Sequence, residues 1–122
     1  MASDAGHLAL ADLLAASGND ARAEHEYTRS LELRPSALAW RGLAGIHARR
    51  GAWREAADAY EQAVALAPEQ DVLHYESAQV LIELGELEAA RAALQRAAEL
   101  RPDRGINRRT LERVEASLAR QR

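Results

Sequence analysis

A chain of 122 residues with no Cys excludes disulfides, thiolate metal sites and a cysteine nucleophile. Its apolar half is mostly Ala and Leu, with few β-branched residues and only two Trp and three Tyr, which selects an all-α class over a sheet. The net charge of −3 hides a division, with −7 over residues 1–100 and +4 over residues 101–122.

Taken in chain order, the predicted helices fall near residues 4–17 and 20–34, then Ser36–Arg50 and Trp53–Ala67, then 70–84 and 87–101. In the third of these, Leu38, Trp40, Leu43 and Ile46 lie near one another at 3.6 residues per turn. Gly51 stops that helix, because glycine tolerates the left-handed conformation common at helix C-termini. In the fourth, Ala56, Tyr60, Ala63 and Val64 share one face. Pro68 ends it, since proline donates no backbone hydrogen bond and disfavours helical geometry in the residue before it. A last helix is expected over about 103–120, with Asp103 as its N-cap and Ile106, Thr110, Leu111, Val114 and Leu118 as its apolar stripe. Arg108, Glu112, Glu115 and Arg122 would form its polar outer face.

These helices repeat. Pro35, Pro68 and Pro102 stand 33 and 34 residues apart, and so do Gly18, Gly51 and Gly85. Ala23, Ala56 and Ala90 keep the same steps, as do Tyr27, Tyr60 and Leu94. Four residue series with one period mark three copies of a two-helix unit, at about 4–36, 37–70 and 71–104, followed by a capping helix. Ala11, Ala44 and Ala78 in the first helix of each copy, with the second-helix Ala series, allow close approach of helix axes. One such pair cannot bury its apolar face alone, so the pairs are expected to stack as a single domain over 1–122. The amino-terminal helix, rich in Leu and Ala, is expected to lack such a capping helix.

The second copy carries Trp40, Leu43, Ala44, Gly51, Trp53, Ala56, Tyr60, Ala63 and Pro68. With this pattern the chain resembles the tetratricopeptide repeat family over nearly its whole length. The third copy departs from it with His74 and Ser77, and the first has His7 at the Trp position. The resemblance implies a right-handed superhelical solenoid whose first helices line a concave groove that holds another protein or peptide. By that analogy the groove residues are Leu8 and Asp12, then Leu38, Arg41, Gly45 and Arg49. The third copy adds Val72, Tyr75, Glu76, Gln79 and Glu83, and the last helix adds Ile106, Arg109 and Arg113. One class of the family clamps the terminal carboxylate of chaperones with Lys and Asn. The corresponding positions here hold Leu8, Asp12, Gly42, Val72 and Glu76, which supply no such group. A peptide of mixed charge fits better, its acidic part towards Arg109 and Arg113 and its basic part near Asp12, Glu76 and Glu83.

Nothing in the chain reads as an enzyme site. No two of His7, His25, His47 and His74 have the spacing of a helical metal pair, and they read as half-buried packing residues, so no metal or cofactor is expected. Gly42 and Gly45 lie inside a helix without the strand or Lys of a phosphate loop, and read as close helix packing or a shallow patch in the groove. Carboxylates sit beside arginines, as Arg54 near Asp58 and Glu88 near Arg91. The arginines of the last helix lack interleaved aromatics, so nucleic acid is not an expected partner. No apolar run reaches the roughly 18 residues of a membrane span, and Met1-Ala2-Ser3-Asp4 does not begin like a signal peptide. A cytoplasmic interaction scaffold is therefore expected, from a GC-rich bacterial gene by its Arg-only basic set. Homo-oligomerisation through the uncapped first helix, or a role as one part of a larger protein, are the alternatives.

Overall fold

The computed structural model describes residues 3–121, and among them all regular structure is helical. Seven helices follow one another: α1 Asp4–Ala16, α2 Asp20–Leu33, α3 Ala37–Arg49, α4 Trp53–Leu66, α5 Asp71–Glu83, α6 Leu87–Leu100 and α7 Gly105–Arg120. They fall into two compact units, one ending at Leu66 and holding α1–α4, the other beginning at Ala67 and holding α5–α7.

The same turn closes the first helix of each pair. Gly18, Gly51 and Gly85 have φ of 84°, 74° and 76°. Each glycine N–H donates three residues back, and the next N–H donates five residues back, as Asn19 does to the Leu14 carbonyl at 2.8 Å. That pair of bonds satisfies carbonyls the helix end leaves open, and only glycine adopts this conformation without a Cβ penalty. At the other end, the Ser3 hydroxyl accepts from the Gly6 N–H at 3.1 Å and the Ser36 hydroxyl from the Ala39 N–H at 3.0 Å.

In unit 1, α1 packs on α2, α3 packs on α4, and α2 and α3 join the two pairs. The core contains Ala11, Leu14, Ala23, Tyr27, Ala39, Leu43 and Ile46, with Leu8, Ala15, Leu31 and Trp40 partly buried against it. All six alanines expected at helix contacts are fully buried. Gly42 marks the tightest approach, because a Cβ there would overlap the ring of Tyr27. Polar groups stitch α2 to α1: the buried Ser30 hydroxyl donates to the Asp4 carbonyl at 2.9 Å, and His7 Nδ1 meets Glu26 Oε2 at 2.5 Å.

In unit 2, α6 lies against both α5 and α7. Ala78, Ala90, Leu94, Val114 and Leu118 form its core, with Tyr75, Leu81, Ile82, Leu87, Ala93 and Leu111 partly buried around them. Two expectations for the last helix need correction. It begins at Gly105, and Asp103 does not cap it but pairs with Arg101 at 2.7 Å. Ile106 is 37 % exposed, and Asn107, only 1 % exposed, takes the inward place in its stead. A buried side-chain amide needs partners, and Asn107 has them: its Nδ2 donates to Asp71 Oδ2 at 3.0 Å and to the Ala97 carbonyl at 3.2 Å. One residue thereby ties α7 to the ends of α5 and α6. Arg122, expected on the polar face, lies outside the described residues.

Candidate functional site

The expected groove residues separate into those that line surface cavities and those that pack or pair within the protein. On α1 and α3 of unit 1, Asp12, Leu38 and Arg41 come together with Gly42 around a cavity of about 260 Å³. Leu38, expected to face both the helix core and the groove, is 58 % exposed. Asp12 is exposed but oriented, since its Oδ1 accepts from the Tyr27 hydroxyl at 2.5 Å. Burial, and then the Asp12 carboxylate beside it, push the Tyr27 phenol above its ordinary pKa, so it stays a neutral donor. Gly42 is thus both the seat of the Tyr27 ring and a wall of the cavity.

Other positions in unit 1 serve packing. Leu8 is half-buried against the core. Arg49 holds Asp20 at 2.6 Å, linking the end of α3 to the start of α2, and Arg50 holds Glu24 at 2.8 Å. The hydrogen bond from Arg49 holds the Asp20 carboxyl below its usual pKa, and that from His7 does the same for Glu26. Gly45 is open on the side where a Cβ would stand.

In unit 2, Gln79 and Arg113 meet in a cleft of about 210 Å³ that is also lined by Ile82, Leu87, Thr110, Val114 and Ser117. Tyr75 is half-buried against the core, and its hydroxyl accepts from Gln79 Nε2 at 2.7 Å. Arg109 and Arg113 share a second, more open groove along α7 with Glu112 and Ala116. Val72 and Glu76 are half-buried, while Glu83 is exposed. Ile82, Leu87 and Val114 line this cleft although the repeat pattern does not place them in the groove. Their signal was present: Ile82 follows Gln79 by one helical turn, and Val114 stands next to Arg113.

The histidines are diverse. His74 is buried and its Nε2 lies 2.8 Å from the Pro68 carbonyl; His7 and His47 are half-buried; His25 is exposed, against the expectation of a packing role. Among the described residues no group of three or more His, Cys, Asp or Glu is placed to hold a metal ion, and no helix is long and apolar enough to cross a membrane.

Paired helices of constant length, a glycine turn repeated three times and open side chains on the first helix of each pair define an all-α repeat protein. Two tetratricopeptide repeat family models match the chain, one over residues 47–113 and the other over residues 8–71. The chain belongs to the tetratricopeptide repeat family.

Solved structures agree in fold. YrrB, described as a tetratricopeptide protein with an unusual peptide-binding site, is similar at 28 % identity and a TM-score of 0.84. The match covers 92 % of this chain and 58 % of YrrB, so the chain spans little more than half of that protein. The first such domain of Spaghetti (RPAP3), solved with the HSP90 peptide SRMEEVD, has 19 % identity and a TM-score of 0.89, covering 96 % of this chain and 94 % of that one. MamA has 19 % identity and a TM-score of 0.88, covering 95 % and 68 %. Among curated proteins, none matches the chain.

Proposed function

We propose that this chain is a protein-interaction module, without catalytic activity, that holds a segment of another polypeptide on the exposed faces of the first helices of its pairs. The observation that carries the proposal is Leu38, 58 % exposed beside a cavity that also offers Asp12 and Arg41. An exposed aliphatic side chain flanked by one acid and one base gives a contact surface with both affinity and orientation. Peptide recognition by YrrB and by the Spaghetti domain supports the reading. The test is an array of immobilised peptides of mixed charge probed with the full chain and with its Leu38→Asp, Arg41→Glu variant. A set of peptides retained by the parent and lost by the variant is the expected result. Equal retention by both, or no peptide held above background, contradicts it.

A second reading has its own observation. Leu10 and Leu13 of α1 stand at the repeat positions of Leu43 and Ile46 in α3, which are buried. On α1 the same positions are 40 % and 70 % exposed. That apolar face would suit a second copy of the chain, or a further repeat if the chain works as part of a longer protein. Light scattering over a concentration series separates the options: assembly that Leu13→Glu abolishes favours the second copy, and a monomer throughout excludes it.

A further inference from the structure

The cleft of unit 2 has a chemistry of its own. Gln79 and Ile82 of α5, Leu87 of α6, and Thr110, Arg113 and Val114 of α7 line an open cleft of about 210 Å³, room for one branched aliphatic side chain. Arg113 belongs both to this cleft and to the groove along α7, where Arg109 stands one turn away with Glu112 between them. Other arginines of this region are engaged: Arg101 with Asp103 at 2.7 Å, Arg104 towards Asp71 at 3.7 Å, Arg91 with Glu88 at 2.6 Å and Arg96 with Glu99 at 3.4 Å. Arg109 and Arg113 have no ion-pair partner among the described residues. They also lie in the part of the chain that is net +4, whereas the remainder is net −7.

We infer that unit 2 takes an acidic segment of another polypeptide, with one aliphatic side chain in the cleft against Ile82, Leu87 and Val114. The carboxylates that follow it rest on Arg113 and Arg109. This rests on the reading of the chain as a polypeptide-binding module and names the kind of segment bound at one place. Two guanidinium groups one helical turn apart, about 5–6 Å between their Cβ atoms, match two acidic side chains better than one terminal carboxylate. The aliphatic anchor supplies desolvated contact, and the charges set direction along α7. No aromatic residue lies on α7 to stack a base, so a nucleic acid strand lacks its usual platform.

The experiment uses the full chain, labelled with ¹⁵N, and a Gly/Ser peptide bearing Leu-Glu-Asp in its middle and an amidated C-terminus. Titration to millimolar peptide is expected to move the amide signals of Ile82, Leu87 and Val114. Arg113→Glu, an exposed position that leaves the core intact, is expected to weaken binding about tenfold or more. Replacing the peptide Leu by Ala weakens it as well, and adding salt weakens it further. The inference is overturned by no shift at the cleft, by unchanged affinity in Arg113→Glu, by a need for a free C-terminus, or by tighter binding of single-stranded RNA. Shifts confined to Asp12, Leu38 and Arg41 would overturn it while leaving the interaction module intact. Failure of the whole peptide array would instead remove the module reading itself.

Discussion

Unit 1 holds two helix pairs and unit 2 one pair with the last helix, and the two use arginine and close packing in opposite ways. At the end of α3, Arg49 and Arg50 are bound to Asp20 and Glu24 of α2, so their charge goes into joining helices. On α7, Arg109 and Arg113 form no ion pair among the described residues, although Glu112 lines the same groove, and both are exposed. Helix approach differs too. Unit 1 brings α3 against α2 by omitting a side chain at Gly42 so that Tyr27 can lie there, whereas unit 2 joins three helices through the Asn107 amide and the Asp71 carboxylate. The difference teaches that residue type alone does not decide whether an arginine binds outward. The local partner decides.

The largest way to break this contrast is at Gly42. Gly42→Val forces a branched side chain into the Tyr27 ring, and overpacking of this kind costs about 2–3 kcal/mol. Urea denaturation should show a lower midpoint, and the Asp12–Leu38–Arg41 cavity should lose its ligands. Next comes Asn107→Ala in unit 2, which takes from the buried Asp71 carboxylate its hydrogen bond, leaving Arg104 at 3.7 Å, and costs about 2 kcal/mol by the same measurement. Thr110→Val works in the other direction. The Thr110 hydroxyl is buried without a hydrogen-bond partner, and the residue is 4 % exposed, so an isosteric methyl should raise stability by up to about 1 kcal/mol. A loss of stability would contradict this and mean that the hydroxyl does find a hydrogen-bond partner.

The smallest effect is a titration. The hydrogen bond from Arg101 holds the Asp103 carboxyl at about 2, below its ordinary 3.8. A depressed folded pKa means that stability is present above pH 4 and lost as pH falls from about 4 towards 2. Arg101→Ala should flatten stability across that window by lowering it slightly above pH 4 and leaving it unchanged near pH 2, the drop being small because the pair is exposed. An unchanged acid limb would show that Asp103 has no part in it.

Much of the fold was legible because repetition multiplies weak signals. Each helix boundary from Ala37 to Leu100 falls within a residue or so of the pattern, since Gly51, Gly85 and Pro68 punctuate it by rigid backbone rules. The start of α7 was less legible: Asp103 has the chemistry of an N-cap, but Arg101 two residues earlier competes for its carboxylate. Asn107 was missed because a polar residue in an apolar stripe reads as solvent-facing until its partners, Asp71 and Ala97, are known from distant sequence. The candidate surface was legible as a set of positions but not as a set of free groups. Arg49 and Arg113 were both expected to face a ligand, and the ion pair with Asp20 engages only Arg49.

The proposed binding of a polypeptide segment on the open helix faces of one unit is tested most directly by ¹⁵N chemical-shift mapping of the full chain with an array-selected peptide. The account predicts shifts at Asp12, Leu38 and Arg41 of unit 1, or at Gln79 and Arg113 of unit 2, with α2, α4 and α6 unmoved on their exposed faces. Shifts concentrated on the exposed faces of α2, α4 and α6 would contradict it.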